Sequence, residues 1–165
     1  SERGRAQQMQ AGVNISSGDV LWFLHADTVT PENSDPVIQQ ALNKNYWGRF
    51  DVVIISHHIL LHLVASMIHL RSDIPGICTG DQGTFVKKVS YLQVGGFPII
   101  PLMEDIALSK KLKQLGRTAC IKASLHTSGR RWESHGVIRT ILLMWMLRVF
   151  YFLGANPVFL KKYYQ

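Results

Sequence analysis

Asp19-Val-Leu-Trp-Phe-Leu-His-Ala-Asp-Thr28 is the stretch that decides the fold. Val20 to Leu24 is an unbroken apolar run of strand length, entered from a polar turn at Ser16-Ser-Gly-Asp19. Such a run predicts a central strand buried on both faces, in a sheet covered by helices. It stops at His25-Ala-Asp27, where two metal-ligating side chains stand one residue apart. Open α/β sheets bind ligands just beyond the carboxyl ends of their strands. The same residues also read as a polar strand end, with Asp27 capping the next turn. Residues further along decide between the two.

The chain has 165 residues, enough for a domain with a real core. Its hydrophobic fraction is 47% and its charged fraction 18%, which excludes a disordered or low-complexity protein. A net charge of +7 favours anionic partners, namely phosphates, nucleotides, nucleic acid or anionic lipid headgroups. The two cysteines, Cys78 and Cys120, have no metal-like spacing. They read as reduced thiols of a cytoplasmic protein, with a bridge left open. The first residues show no signal-peptide pattern.

Outward from the opening stretch, Gly4 to Ser16 predicts a helix, with Ala6, Met9 and Val13 near one face. Arg3 and Arg5 stand at its beginning, either as an anion site or as solvated surface charges. Pro36 to Asn43 predicts a short helix, and Gly48 to Ser56 a β-branched strand. His57 to Leu70 reads as a helix that puts His58, His62 and His69 within about 40° of one another. A polar stripe is preferred there to a metal site, because the Glu of a His-Glu-x-x-His motif is missing.

The densest information lies between Thr79 and Gly116. Gly80-Asp-Gln-Gly83 is a glycine-bounded turn, followed by the strand-like Thr84-Phe-Val86 and by Lys87-Lys88. Val89 to Val94 reads as a short helix closed by Gly95-Gly96. Leu108, Leu112 and Leu115 then make the apolar stripe of a helix that Glu104 and Asp105 begin. Those carboxylates read equally as favourable first-turn charges or as a general base at a cleft mouth. Thr118 to Lys122 predicts a further strand, and Leu125 to Glu133 a polar loop carrying Arg130, Arg131 and Trp132. Arginine suits phosphate, and tryptophan offers a stacking face. His135 to Leu153 predicts an apolar helix, too short in its uninterrupted part to span a bilayer. Such a helix must bury its faces in the domain, in a partner chain or at a membrane surface.

In this order the motifs resemble a family-2 glycosyltransferase with the glycosyltransferase-A fold. The resemblance is carried by Phe23–Thr28, Gly48–Val52, Gly80–Gln82, Gly95–Pro98, Leu102–Ile106 and Arg130–Gly136, and covers nearly the whole chain. It implies an α/β class: a partial, Rossmann-like mixed sheet flanked by helices over residues 1–133. A C-terminal apolar helical extension over 134–165 would pack on the core, a dimer partner or a membrane surface. It implies metal-assisted transfer of a sugar, with inversion, from a nucleotide-diphosphate sugar to an acceptor hydroxyl. Asp105, with Glu104 beside it, would be the catalytic base. Asp27, with His25 and His126, would hold a manganese or magnesium ion. Arg5, Asp81, Gln82, Arg130, Arg131 and Trp132 would bind substrate.

The resemblance departs from the pattern at two points. His25 stands where the first carboxylate of an Asp-x-Asp would be, which implies weaker metal binding, a softer ion such as manganese, or His126 as another ligand. The chain also starts at the arginine-led helix, so the segment that usually builds the nucleotide-base pocket is expected from a longer chain or a partner. The expected location is cytoplasmic, or peripheral at the inner face of a membrane, with no nucleic acid bound. The rival readings are a non-enzymatic basic module for nucleic acid or anionic membrane, and a nucleotidyltransferase.

Overall fold

The computed structural model describes residues 4–164 apart from 57, 74, 75 and 135, and not the side chains of 59, 62, 63, 69–71 and 131. The chain runs α1 (Arg5–Ile15), β1 (Val20–Trp22), α2 (Ser34–Leu42), β2 (Trp47–Ile55) and α3 (Ile59–Asp73). A single 3-10 turn, Gly80–Gln82, leads to β3 (Phe85–Lys87) and α4 (Lys88–Gln93). α5 (Glu104–Leu112), β4 (Ala119–Ser128), α6 (Arg130–Ser134), α7 (Val137–Phe152) and α8 (Pro157–Lys161) complete it. The class is α/β, a mixed sheet flanked by helices, as the sequence implies.

The sheet has the order β1-β3-β2-β4. β3 runs antiparallel to both β1 and β2, whereas β2 and β4 are parallel. β2 is the true centre. Trp47, Phe50 and Val52 are fully enclosed, as a strand covered on both faces requires. The expectation of a central strand at Val20 to Leu24 is corrected here: β1 is three residues long and pairs only with β3 among the described strands. Leu21 is buried, but Leu24 is already 41% exposed.

A second correction concerns Leu125 to Glu133. The polar loop is instead the second half of β4 followed by α6. The β2–β4 ladder slips between Phe50 and Asp51, then continues from Asp51↔Ser124 to Ile55↔Ser128. The segment alternates, with Leu125 and Thr127 buried and His126 exposed, which is the strand period of two. The polar side chains are the outward half of that alternation.

Helices seal the sheet with apolar clusters. Ala6 and Val13 of α1 join Trp47, Tyr91, Phe97, Leu108 and Leu112 in one of them. The Tyr91 hydroxyl donates to Gln10 Oε1 at 2.8 Å and accepts from the Phe97 amide at 3.1 Å, tying α1, α4 and the following loop together. Gly96, at φ 60°, lies where an added Cβ would meet the Tyr91 ring at 2.8 Å, so that approach requires glycine. Both cysteines are unbridged, as the reduced-thiol reading expects. No helix among the described residues is long and apolar enough to cross a membrane.

His58 precedes α3 instead of joining a stripe on it; its Nδ1 accepts from the Leu60 amide at 3.4 Å. The side chains of His62 and His69, like all of His57 and Arg3, lie outside the described residues.

Candidate functional site

Four segments far apart in sequence meet at one cavity of about 330 Å³: the start of α1, the exit of β1, the Gly80–Gln82 turn and the start of α5. Arg5, His25, Gly80 and Asp105 are in its walls, with Phe23, Phe97 and Leu108 as an apolar backing. Each polar member is held by an identifiable local cause. Arg5 is the first residue of α1, whose packed Ala6 fixes the helix start. His25 follows β1, where the chain leaves the sheet after the Phe23 amide bonds to Thr84 O.

Asp105 is fixed most firmly. Met103, at φ 67°, turns the chain into α5, and Glu104 and Asp105 fill the first turn, where carboxylates are favoured. Asp105 Oδ2 accepts from the Gly80 amide at 2.8 Å, and its Oδ1 accepts from the Ile106 amide at 2.7 Å. One turn along α5, buried Ser109 accepts from the Cys78 amide at 3.1 Å and donates to the Asp105 carbonyl at 2.9 Å. The helix is thereby pinned beside the extended segment that delivers Gly80.

Glu104 takes a different part from its neighbour. Its side chain is only 4% exposed, and Arg5 Nη1 stands 3.3 Å from its Oε1 as an ion pair without hydrogen-bond alignment. Burial, followed by the charge of Asp105, raises the Glu104 carboxyl above its ordinary range, and Arg5 opposes this. The two adjacent carboxylates are thus divided: Asp105 faces the cavity, and Glu104 anchors Arg5 behind it.

Arg5 Nη2 lies 2.8 Å from His25 Nε2, and the same nitrogen lies 3.4 Å from Asp81 Oδ1. These contacts are alternatives for one atom. In the tautomer that leaves it bare, His25 Nε2 accepts from Arg5; bearing a hydrogen, it faces Asp81 as a donor. An added Cβ at Gly80 would fall 1.6 Å from Arg5 Nη2 and 2.8 Å from His25 Nε2, so the turn can approach both only as glycine.

Asp81 also stands in the wall of a second, larger cavity of about 670 Å³, with Trp132, Arg139, Leu143, Tyr163 and Tyr164. Of the residues expected to bind substrate, Asp81 and Trp132 therefore share one space, and Arg5 lies in the neighbouring one. Gln82 lines neither. It is fully buried; its Oε1 accepts from the Thr79 amide at 3.2 Å and its Nε2 donates to Ser72 Oγ at 2.8 Å. Arg130 is exposed at the start of α6, and the Arg131 side chain is outside the described residues.

The three residues expected to hold an ion do not form one cluster. Among the described residues, no group of three His, Cys, Asp or Glu could hold a metal ion. Asp27 is exposed beyond β1, and exposed His126 meets the same loop through its backbone, paired with Val29. His25 alone of the expected ligands reaches the cavity, with its Nε2 already in contact with Arg5. That nitrogen cannot serve a guanidinium and a metal ion together.

Two groups were not anticipated. Arg148 of α7 is largely enclosed; burial lowers its pKa, and the charges of Asp105, Asp81 and Tyr164 oppose the fall. Its spacing of nine from Arg139 puts the two on opposite sides of the helix, a signal present in the sequence. Arg49, on β2, is fully buried and pairs with Asp51 and Asp73, with Lys122 3.1 Å from Asp73. An arginine within a strand of valine and isoleucine is the trace this cluster leaves in the sequence. Compared with models of protein families, with curated proteins and with solved structures, the chain matches none.

Proposed function

We propose that the chain is the acceptor half of an inverting glycosyltransferase that moves a sugar from a nucleotide-diphosphate sugar to an acceptor hydroxyl. The observation that carries this reading is the meeting of Asp105, Arg5 and His25 in one cavity, with Asp81 linking it to a second. Asp105 would take the hydroxyl proton while the oxygen attacks the anomeric carbon. The bond from that carbon to the diphosphate breaks on the opposite side, and its electron pair leaves with the diphosphate. One base and one displacement give inversion.

Charge stabilisation of the departing diphosphate falls to Arg5 in this reading. Its side chain is 43% exposed and anchored from behind by Glu104. The manganese or magnesium suggested by the resemblance has no ready seat on His25, so no step is drawn through it; a manganese titration distinguishes the two sources of charge. Asp81 and Trp132 would hold the acceptor, with the indole as its stacking face.

The test is nucleotide-diphosphate release from uridine and guanosine diphosphate sugars by the full chain, with and without manganese. Asp105→Asn is expected to lower turnover by about 10²–10⁴-fold with the fold retained. Unchanged turnover would remove the base assignment.

A further inference from the structure

The C-terminal helices leave a large apolar face uncovered. On α7, Ile138, Leu142, Trp145, Met146 and Val149, with Leu153 at its C-cap, are each between 42% and 77% exposed. Their spacings of four, three, one, three and four make a single stripe on one side of the helix. The opposite side is spent on the fold, with Val137 and Leu147 buried and Arg148 largely enclosed. Phe150, 47% exposed, borders the stripe one turn after Met146, and Val158 and Phe159 of α8 and then Tyr163 are all at least 52% exposed.

The segment's own charges have one sign, although Asp81 adjoins it in the wall of the second cavity. From Ser134 to Gln165 there is no Asp or Glu, whereas Arg139, Arg148, Lys161 and Lys162 are present. Arg139, Lys161 and Lys162 are exposed. Lys110 of α5 adds another cation, its Nζ 4.6 Å from the centre of the Phe152 ring. Aromatic and aliphatic side chains on one side of a helix, flanked by unopposed cations, form the pattern of a helix lying in a lipid interface. A symmetric pairing of two copies would bring these cations against their own counterparts, with no acid of either segment between them.

We propose that the α7–α8 face docks on an anionic lipid bilayer, lying in its plane with the apolar stripe among the acyl chains and Arg139, Lys161 and Lys162 on the headgroups. This face shares Arg139, Leu142, Met146 and Tyr163 with the second cavity, but its test reads vesicle binding and not turnover, so the two readings fail separately. Its test is flotation of the full chain with phosphatidylcholine–phosphatidylserine vesicles and with phosphatidylcholine alone, at low and high salt. Binding is expected on the anionic vesicles and is expected to fall with salt. Trp145→Ser with Phe150→Ser should abolish it; Lys161→Glu with Lys162→Glu should weaken it roughly tenfold or more. These side chains are exposed, so unchanged thermal unfolding should accompany both changes. Failure to float with anionic vesicles would overturn the proposal, as would binding that survives the Trp145 and Phe150 substitutions. It would also be overturned by a dimer in light scattering that those substitutions split, which would assign the face to a second copy.

Discussion

The amide of Gly80 donates to Asp105 Oδ2 at 2.8 Å, joining a turn and a helix start separated by 25 residues. This one bond sets where the cavity carboxylate points. Its other oxygen is held by the Ile106 amide, so Asp105 is oriented from both sides by backbone groups.

Gly80→Ala tests the closeness of that approach. The new methyl would displace the end of Arg5, a flexible side chain, so the cost in stability should be small, about 1 kcal/mol or less. Nucleotide binding should fall far more than stability. Titration with a nucleotide diphosphate, beside chemical denaturation, separates the two.

Ser109→Ala removes the tie between α5 and the Cys78 amide. That buried amide loses this hydrogen bond, at a cost of about 1 kcal/mol. Ser109 touches neither cavity, so it is a positioning residue. Turnover should drop with KM nearly unchanged, and Ser109→Thr, which keeps the hydroxyl, should recover most of it.

Glu104 makes stability depend on pH with a definite sign. Its carboxyl is raised above the ordinary 4.5, so the folded chain holds that proton more tightly than the unfolded one. Its contribution is fully present below 4.5 and is lost as pH rises through the folded value. Glu104→Gln should flatten this part of the profile. Unfolding midpoints measured from pH 4 upwards, at about half-unit steps, check it.

Arg49 should be the costliest polar residue to remove. Arg49→Met leaves the enclosed Asp51 facing only the exposed Lys122, 3.7 Å away, among the described residues, a loss of about 3–5 kcal/mol in denaturant unfolding. Asp73 is 39% exposed on its side chain, so Asp73→Asn should cost much less. Burial works to raise the Asp73 carboxyl, but Lys122 and Arg49 outweigh it and hold it below its ordinary 3.8. Its contribution is therefore present above 3.8 and disappears as pH falls through the lowered value.

Much of the fold is legible in the sequence because apolar periodicity records burial. Leu108 and Leu112 mark the face of α5, and Asn156-Pro157 marks the start of α8, where Asn156 caps the Val158 amide at 2.9 Å. Periodicity could not rank the strands. Val20 to Leu24 is as apolar as β2, yet pairing, which is non-local, makes β1 short and β2 central. In β4 the polar half of the alternation disguised a strand as a loop. The cavity is legible in part, since the sequence singles out Arg5, His25 and Asp105, and with them Asp81 of the neighbouring cavity. The division of labour between Glu104 and Asp105 is not, because it depends on which carboxylate the tertiary fold encloses. Nor is Gly80's role, which is that of a backbone N–H that every residue but proline carries.

The Gly80–Gln82 turn sends its three members in three directions: a backbone amide to Asp105, a carboxylate to His25, and an amide side chain to Ser72 of α3. It is a mechanical junction, and a tilt imposed at any arm moves the other two. Ser72, which borders neither cavity, is thus the remote handle of the arrangement. A substitution there is transmitted as misalignment of Asp81 and Asp105 together, a coupled defect with no altered residue in contact with any bound molecule.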